Sequence, residues 1–205
     1  MLCSIELKRE GFVMSTFFER IRHQLRIANV WPILRRFLMN TVFDSVLTCM
    51  GIIIGAATAS TVNPIFIFGT TLTGALALGI SSGVSTYEAE GAEREIRLKR
   101  LEKAMLADLE DTIQYEATRT GQIVIGVANF SVPVLVALAL TLPFLILSDA
   151  VVALYLTVAA AVAILFGMGM YFGKISRTNI LLRGIRMAAI GIGTFVLCYY
   201  IGFLF

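Results

Sequence analysis

The stretch FLMNTVFDSVLTCMGIIIGAATA, which runs from Phe37 to Ala59, decides the fold of this chain. It is longer than the about 18 residues that mark a membrane span, and Asp44 is its only charged residue. The rest of the sequence agrees, because 58% of its 205 residues are hydrophobic and only 15% are charged. Soluble domains carry about 25% charged residues. The composition therefore excludes a water-soluble enzyme and predicts a helical membrane protein.

Four further apolar stretches predict four more transmembrane helices. Together with the first, the predicted spans are 37–59, 64–87, 122–147, 150–173 and 187–205. At about 1.5 Å per residue, each is long enough for a hydrocarbon core about 30 Å thick. We therefore expect an all-α integral membrane protein whose parts are an N-terminal interfacial segment, a two-helix hairpin, a charged helical insert and three further spans, over 1–36, 37–87, 88–120 and 121–205.

The basic residues determine the predicted orientation. All 17 Lys and Arg residues lie before the first span, in the insert, or between the fourth and fifth spans. Basic residues concentrate on the cytoplasmic side of membrane proteins, so we expect a cytoplasmic N-terminus and insert and an external C-terminus. Residues 15–38 mix apolar side chains with arginines and predict a helix lying in the cytoplasmic interface, with Pro32 bending the chain toward the first span. We expect no removable signal peptide.

The insert between the second and third spans is predicted to be one long charged helix. Glu93 and Arg97 stand at ion-pairing spacing, as do Glu95 and Lys99. An apolar stripe runs along the same helix through Leu98, Leu101, Met105, Leu109 and Ile113. An apolar stripe is unfavourable in water, so we expect it to pack on a second copy or on other cytoplasmic helices.

Asp44 is the strongest single candidate for a functional residue. A carboxylate in hydrocarbon costs about 2.5–3.5 kcal/mol, so it normally faces a cavity, a cation or a proton path. The helical face of Asp44 continues through Thr48, and Ser81 and Ser85 fall close to one stripe of the second span. These four residues predict a hydrophilic translocation path between neighbouring helices.

Two alternatives stay open for these residues. The carboxylate is shallow enough in the first span to reach interfacial water or to pair with Arg35 or Arg36. The small residues of the first two spans favour close helix packing as well as a polar path. Packing is the role that we predict for Gly169 and Gly173, which stand at GxxxG spacing, and Asn129 in the third span is expected to make an interhelical hydrogen bond.

The acidic residues of the insert are candidate ligands for a divalent metal ion. Oxygen-only ligands favour Mn²⁺, Fe²⁺, Mg²⁺ or Ca²⁺. The alternative is a solvated helix face whose acids are neutralised by neighbouring Arg and Lys. No nucleophile stands with a base and no catalytic metal motif is present, so we do not expect an enzyme. Besides Asp44, the candidate ligands are Glu88, Glu90, Glu93, Glu95, Glu102, Glu110 and Glu116.

The order of these elements resembles the vacuolar iron transporter family. The first-span segment NTVFDSVLTCMGIIIGA and the second-span end GISSGVSTYEAEGAERE carry the specific part of the resemblance, which covers most of the chain from about Arg35 onward. Members of that family are homodimers that exchange cytosolic Fe²⁺ or Mn²⁺ for protons. The resemblance implies that Asp44 lies in the translocation path and that Glu93 and Glu95 capture metal, with the other glutamates of the insert as weaker candidates.

This chain departs from that family in the second span. The family carries a methionine and a glutamate there, in an SMAxGEY-like stretch. Ser82 and Thr86 stand at those positions if the tyrosines are matched, and Ile80 and Val84 if the glycines are matched. A thioether ligand favours softer ions than Mg²⁺ or Ca²⁺, so its absence from this chain weakens the expected selectivity for Fe²⁺.

The sequence thus predicts a dimeric transporter that moves Fe²⁺ or Mn²⁺ out of the cytosol, with no tightly bound cofactor. Its partners are the transported ion, the lipid bilayer and a second copy, and a net charge of +3 gives no reason to expect nucleic acid. We expect it in the plasma membrane of a prokaryote or a vacuole-like membrane of a eukaryote. The alternative function is a non-transporting membrane scaffold or metal sensor whose insert helix binds a partner.

Overall fold

The computed structural model describes residues 30–59, 63–105, 113–147 and 149–204, and these residues form five α-helices. All five are long and apolar enough to cross a membrane. For the described residues, the prediction of an all-helical protein with five helices of membrane-spanning length is therefore confirmed. The helices are α1 (Val30–Ala59), α2 (Pro64–Met105), α3 (Ile113–Ile146), α4 (Ala150–Ile175) and α5 (Ile180–Leu204).

Helix α1 begins earlier than the first predicted span. It starts at Val30 rather than Phe37, and Pro32 lies in its first turn. A proline there loses no intrahelical hydrogen bond, because the first N–H groups of a helix have no intrahelical acceptor. Pro32 therefore belongs to the start of the described helix, and the bend expected there depends on residues before Val30, which lie outside the described part of the chain. The rest of the expected interfacial helix, residues 15–29, lies outside the described residues.

Helix α2 joins the second span to the insert without a break. It has 42 residues, which corresponds to about 63 Å, twice the thickness of a hydrocarbon core. The first part of the insert, as far as Met105, is thus the continuation of the second span rather than a separate helix. The insert also supplies the first residues of α3, from Ile113 to Thr120. Residues 106–112, with Leu109 of the predicted stripe, lie outside the described residues.

The described residues form two compact units. One contains residues 30–37 and Gly83–Val127, and the other contains Leu38–Ser82 and the chain from Ala128 onward. In the first unit, α2 and α3 approach closely: a Cβ added at Gly126 would lie 3.2 Å from the carbonyl oxygen of Gly83. The second unit has an apolar core. Its largest buried side chains include Val46, Met50, Ile53, Ile54, Ile67, Leu140 and Leu165.

The interhelical hydrogen bond predicted for Asn129 is confirmed. The hydroxyl of Thr41 in α1 donates to the side-chain oxygen of Asn129 in α3 at 2.7 Å, and both residues are buried. The hydroxyl of Ser82 in α2 donates to the backbone oxygen of Asn129 at 3.3 Å. Helices in a bilayer associate through close packing and such polar contacts rather than through exclusion of water. Asn129 therefore ties α1 and α2 to α3.

Helices α4 and α5 pack through glycine, as predicted for Gly169 and Gly173. A Cβ added at Gly169 would lie 2.6 Å from the backbone oxygen of Arg183, and one at Gly173 would lie 2.6 Å from the Cα atom of Ile180. These neighbours are backbone atoms, so no side-chain rotation relieves the overlap. Only glycine allows the two helices to come this close.

We expect Gly169→Ala to destabilise the protein by about 1–3 kcal/mol, the usual cost of adding a methyl group to a tightly packed contact. Gly167→Ala is the matched control on the same helix, because a Cβ there meets nothing within 4 Å and alanine is the better helix former. Thermal unfolding of both purified variants in detergent checks the prediction. The Tm should fall for Gly169→Ala and be unchanged or raised for Gly167→Ala. Equal Tm values would contradict a backbone contact between α4 and α5.

Candidate functional site

Asp44 lies near the middle of α1 and is exposed on the surface of the chain. It stands about 10 Å beyond Phe37, where the apolar part of the helix begins. The side-chain amide of Asn40 donates a hydrogen bond to Asp44 Oδ2 at 3.1 Å. Asp44 makes no ion pair in the part of the chain that the structure describes. The pairing with Arg35 or Arg36 that the sequence left open is therefore not seen there.

An exposed polar stripe, formed by Asn40, Asp44 and Thr48, runs along α1. Its members are four residues apart and so share one helical face. The polar residues Thr41 and Ser45 are buried instead, and their hydroxyls donate to Asn129 Oδ1 and to the Thr41 backbone oxygen. The inward polar groups of α1 are thus satisfied within the chain, whereas the polar stripe faces whatever lies beside α1.

Sequence reasoning missed Asn40, although its spacing from Asp44 carried a signal. Amide and carboxylate side chains four residues apart on a helix lie within hydrogen-bonding distance. The geometry observed for Asn40 and Asp44 follows that rule. A carboxylate oriented by one neutral donor keeps its remaining acceptor positions for another partner.

Ser81 and Ser85 are also exposed, on α2. The serine between them in this stretch, Ser82, is half-buried and turned toward Asn129. All four residues predicted for the translocation path, which also include Asp44 and Thr48, are therefore surface residues of the single chain.

Glu93 and Glu95, the predicted capture ligands, are exposed on the polar end of α2. Each carboxylate lies one turn before a basic partner. Arg97 is 3.6 Å from Glu93 and Lys99 is 2.6 Å from Glu95, so both predicted ion pairs are confirmed. The hydrogen bond from Lys99 lowers the pKa of Glu95 and favours its charged form. Exposed ion pairs are weak. Arg97 and Lys99 therefore do not block the access of a cation to either carboxylate.

Glu90 lies in a different setting, because its side chain is buried together with that of Arg94. The two side chains are 4% and 8% exposed, and Arg94 Nε donates to Glu90 Oε1 at 2.5 Å. A metal ion that took this carboxylate would leave a buried guanidinium without its counter-charge, which is costly. Sequence reasoning missed the pair, although its spacing equals that of the two exposed pairs. Its burial depends on tertiary packing, which the spacing does not encode.

The remaining predicted ligands are scattered. On α2, Glu88 is exposed and Glu102 is half-buried. Glu116 belongs to α3, and Glu110 lies outside the described residues. Within the described ranges, no three Asp, Glu, His or Cys side chains come together as a group that could hold a metal ion. The predicted convergence of the glutamates on one ion is therefore not seen in that part of the single chain.

Most of this chain is similar in sequence to a known protein. No protein-family model matches the sequence. The chain is similar to an uncharacterised protein of Methanocaldococcus jannaschii, at 29% identity over 169 residues. The matched region covers 81% of this chain and 87% of that protein. The similarity thus spans most of both chains and assigns no activity to either.

Proposed function

We propose that this protein transports divalent metal ions, Fe²⁺ or Mn²⁺, out of the cytosol in exchange for protons. The observation that supports the proposal best is the exposed carboxylate of Asp44 in the apolar part of α1. A charge facing hydrocarbon is unfavourable by about 2.5–3.5 kcal/mol, and either a bound cation or a bound proton removes that cost. Because Asp44 makes no ion pair among the described residues, it is free to alternate between the two. That alternation is the chemistry that an exchanger requires.

The proposal includes a homodimer in which the polar stripe of α1 faces the same stripe of a second copy. Asn40, Asp44 and Thr48 are exposed in the single chain, and polar groups are unfavourable against lipid. Pairing two copies removes the stripe from lipid and brings the two Asp44 carboxylates together. Like charges at short range favour binding of a cation or a proton. In this arrangement, we assign the hydroxyls of Ser81 and Ser85 to the same path.

The proposed orientation places the N-terminus and the polar end of α2 in the cytosol. The distribution of Lys and Arg supports it, since none lies in the short connections after α1 and α3. The exposed carboxylates of Glu88, Glu93 and Glu95 would then lie on the cytosolic side, close to exposed basic residues such as Arg97 and Lys99. We assign them the capture of cations that enter from the cytosol. The membrane is the plasma membrane in a prokaryote or a vacuole-like membrane in a eukaryote.

Metal uptake by proteoliposomes tests the proposed function. The full chain is reconstituted into vesicles with an acidic interior that contain a metal-sensitive fluorophore. We expect Mn²⁺ or Fe²⁺ to enter, with loss of internal protons, roughly tenfold faster or more than in protein-free vesicles. Uptake should slow when the proton gradient is collapsed. If no divalent ion enters under a gradient of either direction, transport is excluded and the scaffold function takes its place.

A further inference from the structure

A cavity of about 450 Å³ lies in the compact unit that contains Gly83–Val127. Its walls come from the polar end of α2 and the beginning of α3, and they carry Glu88, Arg94, Glu95, Arg119 and Gln122. Ligand-binding pockets typically measure about 300–1,000 Å³, so the cavity is large enough for a lipid headgroup. Glu88 and Glu95 are also exposed carboxylates of the proposed metal entry, but Arg94, Arg119 and Gln122 have no part in the proposed transport.

Arg94 gives this cavity a buried hydrogen-bond donor without an acceptor. Its Nε atom is bound to Glu90, but its Nη2 atom is buried and has no hydrogen-bond partner among the described residues. Buried polar groups are nearly always hydrogen-bonded, and an unpaired donor on a charged group is especially unfavourable. Arg94 lines the cavity, so an anion bound there would lie beside its guanidinium.

Arg119 brings a second guanidinium to the same cavity. It is exposed and makes no ion pair in the described part of the chain. A guanidinium presents its N–H groups in a fork that matches the oxygens of a phosphate or a carboxylate. Two arginines, one with an unused N–H group, therefore favour a ligand with several acceptor oxygens on one anionic group.

The position of the cavity along the helices favours lipid as the source of that group. Tyr87, which lines the cavity, is the last residue of the apolar part of α2, and Gln122 is close to the start of the apolar part of α3. Tyrosine is enriched where transmembrane helices enter the headgroup layer. Both helices therefore place the Tyr87 and Gln122 end of the cavity at the edge of the headgroup layer.

The charged residues of the cavity favour a singly charged anionic group over a doubly charged one. Glu88 and Glu95 also line it, and their carboxylates disfavour a doubly charged anion. A phosphodiester carries one negative charge, whereas phosphate monoesters carry about −1.5 to −2 at pH 7. We propose that this cavity binds the phosphodiester of a membrane phospholipid beside the guanidinium groups of Arg94 and Arg119. This assignment does not depend on metal transport.

Native mass spectrometry of the full chain released from detergent tests the proposal. The probes are phosphatidylethanolamine, phosphatidylglycerol, and a diacylglycerol with the same acyl chains but no phosphate. We expect the two phospholipids to bind roughly tenfold more tightly than the diacylglycerol, because only they carry the acceptor oxygens. Free phosphate at millimolar concentration should not displace them. Equal binding of the diacylglycerol, or displacement by free phosphate, would overturn the assignment to a phospholipid.

Three variants test whether the phospholipid binds in this cavity. Arg119→Gln removes one donor, and Ala92→Leu fills part of the cavity without changing its charge, since Ala92 also lines it. Both should weaken phospholipid binding roughly fivefold or more. Arg100→Gln is the matched control, because Arg100 is an exposed arginine on α2 that does not line this cavity. The proposal is wrong if Arg119→Gln and Ala92→Leu bind phospholipid as tightly as Arg100→Gln does.

Discussion

Asp44→Asn should strongly slow the uptake of divalent metal by proteoliposomes while leaving the protein folded. An asparagine keeps the size of the side chain but cannot carry a charge, so it neither holds a divalent ion strongly nor exchanges it for a proton. Interactions with a charged group are worth about 1.5–3 kcal/mol, so uptake should fall roughly tenfold to a hundredfold. The neutral side chain is also less unfavourable in the apolar part of α1. The loss should therefore appear in transport and not in the Tm.

Asp149→Asn is the matched control for this experiment. Asp149 caps the N-terminus of α4, where its Oδ1 accepts a hydrogen bond from the backbone N–H of Val151 at 3.0 Å. Asparagine caps helices about as well as aspartate, so this variant should keep both its Tm and its uptake. The two variants remove the same charge from the same residue type. If both take up metal at the rate of the unsubstituted chain, Asp44 is not part of the path.

Glu90→Gln should destabilise the protein by about 3–5 kcal/mol, the usual cost of removing one partner from a buried ion pair. The glutamine leaves the guanidinium of Arg94 buried without a counter-charge, beside the Nη2 atom that already has no partner among the described residues. For a chain of this size the Tm should fall by roughly 6–20 °C. Thermal unfolding in detergent measures the change.

Glu93→Gln is the comparison for Glu90→Gln, because Glu93 makes an exposed pair of the same spacing. Its Tm should change little, since exposed pairs contribute little to stability. The double variant Glu90→Leu/Arg94→Met should recover most of the stability, because apolar residues replace the whole buried pair. Equal Tm values for Glu90→Gln and Glu93→Gln would contradict the burial of the pair. A fall in metal uptake with an unchanged Tm would instead identify Glu90 as a metal ligand.

The helices themselves were largely predictable from the sequence, because each apolar stretch is long enough to cross a bilayer. The start of α1 was not predictable, since Pro32 and the arginines that follow it are as compatible with an interfacial helix as with the start of a span. The first turn of a helix accepts proline without loss of a hydrogen bond, so the residue alone does not locate a bend. Likewise, the sequence predicted a span to Tyr87 and a helix after it, but not that the two form one unbroken helix.

Less of the candidate site followed from the sequence. Asp44 stood out because it is a lone charge in an apolar stretch, and the pair of Glu95 with Lys99 followed from spacing. The burial of Glu90 and Arg94 did not, because it is set by packing between residues far apart in the chain. The cavity that Arg94 and Arg119 share has the same origin. Sequence spacing predicts contacts along one helix but not across two.

The unbroken course of α2 from Pro64 to Met105 has a consequence for how its length can vary. Successive residues of an α-helix are rotated by about 100° around its axis, so the serine hydroxyls and the glutamates beyond them hold fixed angular phases. Inserting or deleting a single residue between Ser85 and Glu88 would turn the whole distal end by that angle. Helical geometry thus tolerates here only those length changes that restore the original phase, such as seven residues, which bring it back to within about 20°.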